Sequence, residues 1–258
     1  MKKVFILLCL VVVFLLGFYF IWVIPRYAVP ILMYHDINYG KGSFFVSPDN
    51  FNKQMEYIKK HGYEVITLDE LVTSIKNKKS LGRNKVVITF DDGYKDNFKY
   101  AYPVLKKFGF PATIFIITGF VDNNPAFLKW EEVAVMSKDG ISFGSHTKTH
   151  LYLGETLEDK IVLKELVGSK RDIEERIGVP ADYLCYPSGG FNDRVKELAA
   201  QAGYKGACTT NRGFAKFNRD TYELKRIKVT NSDITRPFSF WIKLSGYYNI
   251  LKKSKKPY

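Results

Sequence analysis

Two carboxylates, Asp91 and Asp92, stand side by side before Gly93, at the end of the apolar run Val86-Val87-Ile88-Thr89-Phe90. Adjacent carboxylates repel, and one is driven towards its protonated form unless a cation lies beside them. The same residues also fit a turn, because Asp-Gly is a common turn pair. A second group is His146-Thr147-Lys148-Thr149-His150. Two of the chain's four histidines thus fall four positions apart. One turn of helix would set both imidazoles on one face, within reach of a single metal ion. By themselves they fit two exposed loop histidines as well. Beside a pair of Asp the metal reading gains weight, since two His and one carboxylate form a ligand set of zinc hydrolases. The third group, Tyr186-Pro187-Ser188-Gly189-Gly190, joins a rigid Pro to two glycines that let backbone approach a ligand. N–H groups there could face a developing oxyanion. A strand-to-helix turn capped by Asn192 explains that segment equally well.

These groups need a frame, and the chain alternates between strand-like and helix-like segments. Pro30-Ile31-Leu32-Met33-Tyr34 reads as a strand. Ser47 caps a helix with Pro48 at its first position and Gly62 after its end. Thr67 and Glu70 form a capping-box pattern. Strand-like runs follow at 63–67, 86–90, 112–117, 141–145, 183–186, 207–209 and 224–229. Helices are expected near Pro103 up to Gly109, over 131–136, over 157–177 with Thr156 as cap, and from Asn192 to Gly203. Such alternation predicts a parallel α/β fold. A count of seven or eight strands favours a barrel over an open sheet, with no second globular domain. Catalytic residues of such barrels lie where strands end and loops begin. All three groups fall at such points.

In order and spacing, Thr89-Phe90-Asp91-Asp92-Gly93, His146-Thr147-Lys148-Thr149-His150 and Pro187-Ser188-Gly189 resemble the motifs of the polysaccharide deacetylase family, the NodB-homology carbohydrate esterases. The opening Pro30-Ile31-Leu32-Met33-Tyr34-His35-Asp36 resembles the branch that includes deacetylases of secreted poly-N-acetylglucosamine. The likeness runs from about residue 29 to 229. It implies a distorted (β/α) barrel, a divalent metal ion, often zinc, and removal of acetyl groups from N-acetylated and sometimes O-acetylated sugars. By motif match, Asp92, His146 and His150 are the implied metal ligands, and Asp91 the general base on the attacking water. The Ser188 N–H would help hold the oxyanion, with Tyr186 beside it as a substrate contact. Two positions depart from the pattern. Members commonly carry an Arg two residues before the third motif's Pro, where it steadies the catalytic Asp. Cys185 stands there in this chain. Many members also carry a late Leu-x-His that supplies the general acid, where this chain has Leu224-Lys225-Arg226. In the poly-N-acetylglucosamine branch the equivalent His comes from the N-terminal Tyr-His-Asp segment, which points to His35. Arg226 is then a candidate for the missing positive charge. His61, before Gly62, reads as a helix-end residue. Cys185 and Cys208 read as small buried hydrophobes. Trp130 and Phe191 fit core or rim packing, with stacking on sugar faces as the alternative.

Met1-Lys2-Lys3 precedes an uncharged apolar run over 4–24. Those twenty-one residues would span roughly 30 Å as a helix, the thickness of a bilayer core. The run ends in aromatics and lacks an Ala-x-Ala cleavage site. The expectation is a transmembrane signal-anchor over 1–25 and a deacetylase domain over 29–258. A core helix and a cleaved signal peptide are the competing readings. The basic N-terminus places the single-pass anchor with its catalytic domain outside the cell membrane. Lys plus Arg number 39 against 26 Asp plus Glu, a formal net charge of +13. That surplus suits a polyanionic neighbourhood. No nucleic-acid motif is present, and nucleic acid is not an expected partner. Three cysteines exclude a disulfide scaffold and a four-cysteine zinc ribbon. The lysine-rich tail over 251–258 is expected to be a solvated end. The function expected is a metal-dependent hydrolase, carrying one divalent ion, with zinc first. It removes N-acetyl groups from an extracytoplasmic polysaccharide of the N-acetylglucosamine type. An O-acetyl esterase on the same site and an inactive carbohydrate-binding barrel are the alternatives.

Overall fold

The structure is a computed structural model, and it describes residues 2–40, 42–155, 158–211 and 218–251. Eight short strands form the barrel path. They are β1 (Ile31–Tyr34), β2 (Lys85–Phe90), β3 (Ala112–Ile116), β4 (Ile141–Ser145), β5 (Tyr183–Cys185), β6 (Gly206–Thr209), β7 (Leu224–Lys225) and β8 (Ile227–Lys228). All pair in parallel, in the order β7-β6-β5-β4-β3-β2-β1-β8. The run at 63–67 gives only a two-residue strand, Glu64–Val65, which pairs with Lys85 and Val86 off that path, and Asp36–Ile37 pairs with Phe45–Val46 in a separate ladder. The path is a nearly closed barrel, as the strand count predicted. Its closure differs from the single strand expected over 224–229. Leu224 and Lys225 pair with β6, while Ile227 and Lys228 pair with β1. The segment changes neighbour at Arg226, whose fully buried side chain turns into the barrel.

Helix α1 (Lys2–Phe18) continues through tighter and looser turns to Arg26. This 25-residue stretch packs no part of itself in the protein interior. It is long and apolar enough to cross a membrane or to be a signal sequence. Around the barrel lie α2 (Pro48–Lys60), α3 (Leu68–Lys76), α4 (Tyr102–Phe108), α5 (Trp130–Lys138), α6 (Asp159–Ile177), α7 (Asp193–Gln201) and α8 (Ser239–Leu244). The local signals act as read. The Ser47 hydroxyl accepts from the Asn50 N–H, Thr67 and Glu70 complete a capping box, and Asn192 accepts from the Val195 N–H. Each such cap is worth about 1 kcal/mol. Pro103 sits in the first turn of α4, preceded by a π-helical turn, Asn97–Ala101. Helix α6 starts at Asp159 with Glu158 at its cap, later than expected, and Thr156 lies outside the described residues. The tail over 252–258 also lies outside them.

Alternation along the strands sorts the core into an inside and an outside. Ile31, Val87, Phe115, Cys185, Cys208 and Leu224 pack together within the barrel, closed off by Leu68, Leu71 and Val72 of α3. Leu32, Ile88, Ile114 and Phe143 face outward, under Phe51, Met55 and Ile58 of α2 and Val133 and Met136 of α5. Leu184 and Ala207 pack under Leu166 of α6 and Leu198 of α7. Burying each large apolar side chain contributes about 1.5–3 kcal/mol. The barrel is therefore a filled frame, and its polar residues are collected at one end.

Candidate active site

That end is where the strands finish. His35 follows β1, Asp91 and Asp92 follow β2, His146 to His150 follow β4, the 3₁₀ turn Pro187–Gly189 follows β5, and Arg226 separates β7 from β8. The Asp91 N–H donates to the Tyr34 carbonyl at 3.0 Å, which ties the acidic pair to the end of β1. The chain then turns sharply, with Asp92 at φ 70° and Gly93 at φ 75°. A Cβ on Gly93 would come within 2.7 Å of Ile116.

Asp92, His146 and His150 offer ligand atoms that all lie within 4.8 Å of one another. His146 Nε2 and His150 Nε2 are 3.3 and 3.5 Å from the same oxygen, Asp92 Oδ1. His146 Nδ1 lies 2.7 Å from the Cys185 carbonyl oxygen. Nδ1 is therefore the protonated nitrogen and donates, which leaves the Nε2 lone pair directed at the cluster. Side-chain exposure rises from 3% at His146 to 13% at Asp92 and 35% at His150. The group is held from within and open on one side, as a metal site that admits water requires.

The two histidines do not share a helical turn. They belong to a loop, with Thr147 at φ 62° and His150 at φ 64°. The helical i, i+4 expectation is corrected in geometry, although the rings still meet at 4.9 Å. Glu165 of α6 shapes this loop. Its carboxylate accepts from the N–H groups of Lys148 and Thr149, both at 2.8 Å, and from the Thr149 hydroxyl at 3.0 Å. Nothing local marks Glu165, because its partners lie 16 and 17 residues away.

Asp91, His146 and Cys185 also lie within 4.8 Å of one another. A cation already fills that place. Arg226 donates from Nη1 and Nη2 to the two oxygens of Asp91, each at 2.6 Å, and from Nη2 to Cys185 Sγ at 3.0 Å. Nη1 also reaches the Thr89 hydroxyl at 3.1 Å. Burial pushes the Cys185 thiol up, so it stays neutral. A second cation beside this guanidinium would be repelled, and of the two groups only Asp92, His146 and His150 fit a divalent ion. Burial by itself raises the Asp91 carboxyl, but Arg226 outweighs it and holds Asp91 well below the usual carboxylate range. Arg226 thus supplies the positive charge that the third motif lacks at Cys185.

His35 comes to the same place. Its Nε2 is 3.8 Å from Asp91 Oδ2, and its ring centre is 4.6 Å from that of Phe44. Burial lowers its pKa, against the pull of Asp91 and Asp92. Asn97, in the π-helical turn, donates to the His35 carbonyl at 2.9 Å and pins that strand end. Ser188 is exposed at φ 54°, and its carbonyl accepts from the Thr210 hydroxyl at 3.1 Å. Gly189 follows at φ 78°, where a Cβ would strike Thr210 Oγ1. The Tyr186 side chain departs from the expected substrate contact. It is fully buried, stacks on Phe191 at 4.8 Å, and donates its hydroxyl to the Tyr222 carbonyl at 3.0 Å. Inward packing on α7 takes Tyr186 and Phe191 away from any sugar. Trp130 packs half-buried at the start of α5, with Arg176 over its ring. His61 ends α2, with Nδ1 2.9 Å from the Tyr57 carbonyl.

A family model described as polysaccharide deacetylase matches residues 78–207. YxkH of Bacillus subtilis (strain 168), assigned to the polysaccharide deacetylases, is 36% identical over 202 residues, covering 78% of this chain and 71% of its own. The poly-beta-1,6-N-acetyl-D-glucosamine N-deacetylase of Staphylococcus aureus (strain MRSA252) is 27% identical over 211 residues, 77% of this chain and 72% of that one. Among solved structures, the Streptococcus pyogenes deacetylase PplD, in complex with acetate, superposes with a TM-score of 0.77 at 29% identity, covering 84% of this chain and 98% of that one.

Proposed function

The chain belongs to the polysaccharide deacetylase family, and from that membership and the geometry of the strand ends we propose that it is a metal-dependent N-deacetylase of an N-acetylglucosamine-type polysaccharide. The observation that carries this reading is the joining of two units. One is the open Asp92–His146–His150 cluster, and the other is the buried Asp91–Arg226 pair behind it. Asp92, His146 and His150 would hold the divalent ion, with zinc the first choice for two imidazoles and a carboxylate. When bound, such an ion supplies positive charge that acidifies water and polarises an acetyl carbonyl.

The chain's own groups then divide the proton work. Asp91, kept ionised by Arg226, accepts the proton of the attacking water as its oxygen adds to the acetyl carbon. The backbone N–H of Ser188 helps hold the resulting oxyanion. The carbon–nitrogen bond breaks as His35, in its protonated form, gives a proton to the departing sugar nitrogen. A lowered pKa makes that imidazolium a stronger acid. Acetate and a glucosamine unit are the products.

The same reading places residues 1–25 in the membrane as a single-pass anchor and 29–258 as the catalytic domain outside it. The apolar helix from Lys2 to Arg26 supports this assignment. The test is amine release from N-acetylglucosamine oligomers by the full chain in detergent, with and without chelator, alongside metal content. Metal content near one ion per chain, lost together with activity in His150→Ala, is expected. Undiminished turnover by metal-free protein would falsify the metal's role.

A further inference from the structure

The proposed reaction leaves the charge surplus of +13 without a use. Part of that surplus is concentrated at the barrel end opposite the active site. The end of α3 and its connector to β2, residues 76–84, read Lys-Asn-Lys-Lys-Ser-Leu-Gly-Arg-Asn and contain no Asp or Glu. Lys76, Lys78, Lys79 and Arg83 are all exposed. The connector leads into the start of β2, so it belongs to the floor, where the strands begin. Glu64, Asp139 and Asp182 lie at the same end, and each is already paired with a lysine outside the connector, Lys85, Lys106 and Lys205 respectively.

Two further segments meet at this floor. The Ala28 N–H, just past the apolar stretch Lys2–Arg26, donates to the Gly246 carbonyl at 3.0 Å, just past α8. The rings of Tyr27 and Tyr247 pack with centres 5.8 Å apart. Arg83 Nη1 donates to the Tyr19 hydroxyl at 3.4 Å, so the connector touches the last turns of the apolar stretch itself. The described chain ends in the turn Tyr248–Leu251. The sequence that follows holds Lys252, Lys253, Lys255 and Lys256, again with no acid.

An apolar helix of bilayer length sets its ends at the lipid headgroups. Tyr19 and Trp22, near the end of this one, are aromatics of the kind that rest there. Arg83 then stands at headgroup level, with the lysines of the connector beside it. Ammonium and guanidinium groups are the side chains that hold phosphate oxygens. Each such group close to an anionic membrane surface strengthens the contact by about fivefold. We propose that the connector, joined by the lysine tail, is a docking surface for an anionic phospholipid bilayer and seats the barrel floor-down beside its anchor. This rests on the anchor part of the reading above. Strand β2 rises about 20 Å over its six residues, so the seating directs Asp91 and Asp92 away from the lipid and towards polymer outside.

Lysine acylation of the full chain in lipid nanodiscs tests the seating. An uncharged acylating reagent is used, and mass spectrometry reads the rate at each lysine. Lys76, Lys78 and Lys79 should react about fivefold or more slower in discs containing phosphatidylglycerol than in discs of phosphatidylcholine alone. Lys160, exposed in the first turn of α6 at the active-site end, should change by less than about twofold. Salt at about 1 M should return the connector lysines to their phosphatidylcholine rates. Changing Arg83 and the four tail lysines to Gln should shrink the protection to about threefold or less. Arg83 is exposed, and wild type read in the two lipids decides the matter even if that variant folds poorly. Equal rates in the two lipids, or protection that survives high salt, would overturn the docking surface. Equal protection by soluble polyglutamate in phosphatidylcholine discs would make it a site for polyanions at large and overturn the lipid assignment. A chain that enters neither kind of disc would overturn the anchor, while salt-reversible sedimentation with phosphatidylglycerol vesicles would still decide the docking surface.

Discussion

Arg226 Nη1 and Nη2 each sit 2.6 Å from a different oxygen of Asp91, so one guanidinium grips the whole carboxylate as a fork. Both side chains are almost fully buried, at 0% and 2% exposure. Neither has water to fall back on. Arg226→Met should therefore cost about 3–5 kcal/mol, because it strands a buried carboxylate. Arg226→Lys is the sharper probe, since it keeps the charge and loses the fork. We expect it to fold and to retain metal, while turnover falls by about 10²-fold as Asp91 loses its orientation. Unfolding curves, metal content and amine release measure the three effects. Wild-type turnover in Arg226→Lys would mean that charge alone is enough.

Glu165 acts at one remove from the proposed metal ligands. It accepts three hydrogen bonds from Lys148 and Thr149, inside the loop that carries His146 and His150. His150 is held at φ 64°, a conformation a β-carbon disfavours, so the loop needs that support. Glu165→Ala should weaken metal affinity by about 10–100-fold, the range seen when a ligand loses its supporting partner. Glu165→Gln, which keeps one acceptor oxygen, should recover part of it. Competition with a chelating dye reads the affinity directly. Unchanged affinity in Glu165→Ala would remove the loop clamp from the account.

Asp233 gives a pH dependence with a definite sign. It accepts from the Thr230 N–H and hydroxyl, the Ser239 hydroxyl and Lys243 Nζ, the last at 2.5 Å. Burial raises its carboxyl, but Lys243 and the hydroxyl donors outweigh this and leave it below its ordinary value. A carboxylate depressed on folding stabilises above its unfolded pKa of about 3.9, and that contribution is lost as pH falls through the folded value. Asp233→Asn should thus be less stable than wild type at pH 6. The gap should close as pH drops below about 4. Denaturant unfolding of both proteins across that range provides the comparison, and a gap that stays constant in acid would contradict the pairing.

Much of this arrangement could be read from local pattern. Ser47, Thr67 with Glu70, and Asn192 act within three residues, so their caps are visible in the chain itself. Parallel strands all finish at one end, so motifs that follow strands had to meet there. Contacts set by barrel closure were less visible. Asp91 and Arg226 are 135 residues apart, and Cys185 leaves the space into which the guanidinium reaches. The split at Arg226 shows in the sequence only as a slip of alternation between Leu224 and Ile227, too slight to divide one strand into two. Tyr186 misled for a related reason. A Tyr beside a Gly-rich turn suits either a sugar or a core, and packing on Phe191 decides for the core.

His35 carries the most exposed of the predictions. Amide cleavage must protonate the departing nitrogen, because an amine anion is too poor a leaving group. Asp91 is gripped by Arg226, and His146 and His150 face Asp92. Of the two other histidines, His61 sits at the end of α2, on the Tyr57 carbonyl. His35 is 3.8 Å from Asp91 and remains 14% exposed, so it lies beside the proposed base and is open to solvent. His35→Ala should keep the metal and lose amide hydrolysis by about 10²-fold or more. An activated acetyl ester, whose leaving group needs little protonation, should lose much less. Asn97→Ala, which frees the His35 carbonyl, should show the same split in weaker form. Equal loss on amide and ester in His35→Ala would assign His35 to positioning. Near-normal amide turnover would take it out of the reaction and leave water as the proton donor.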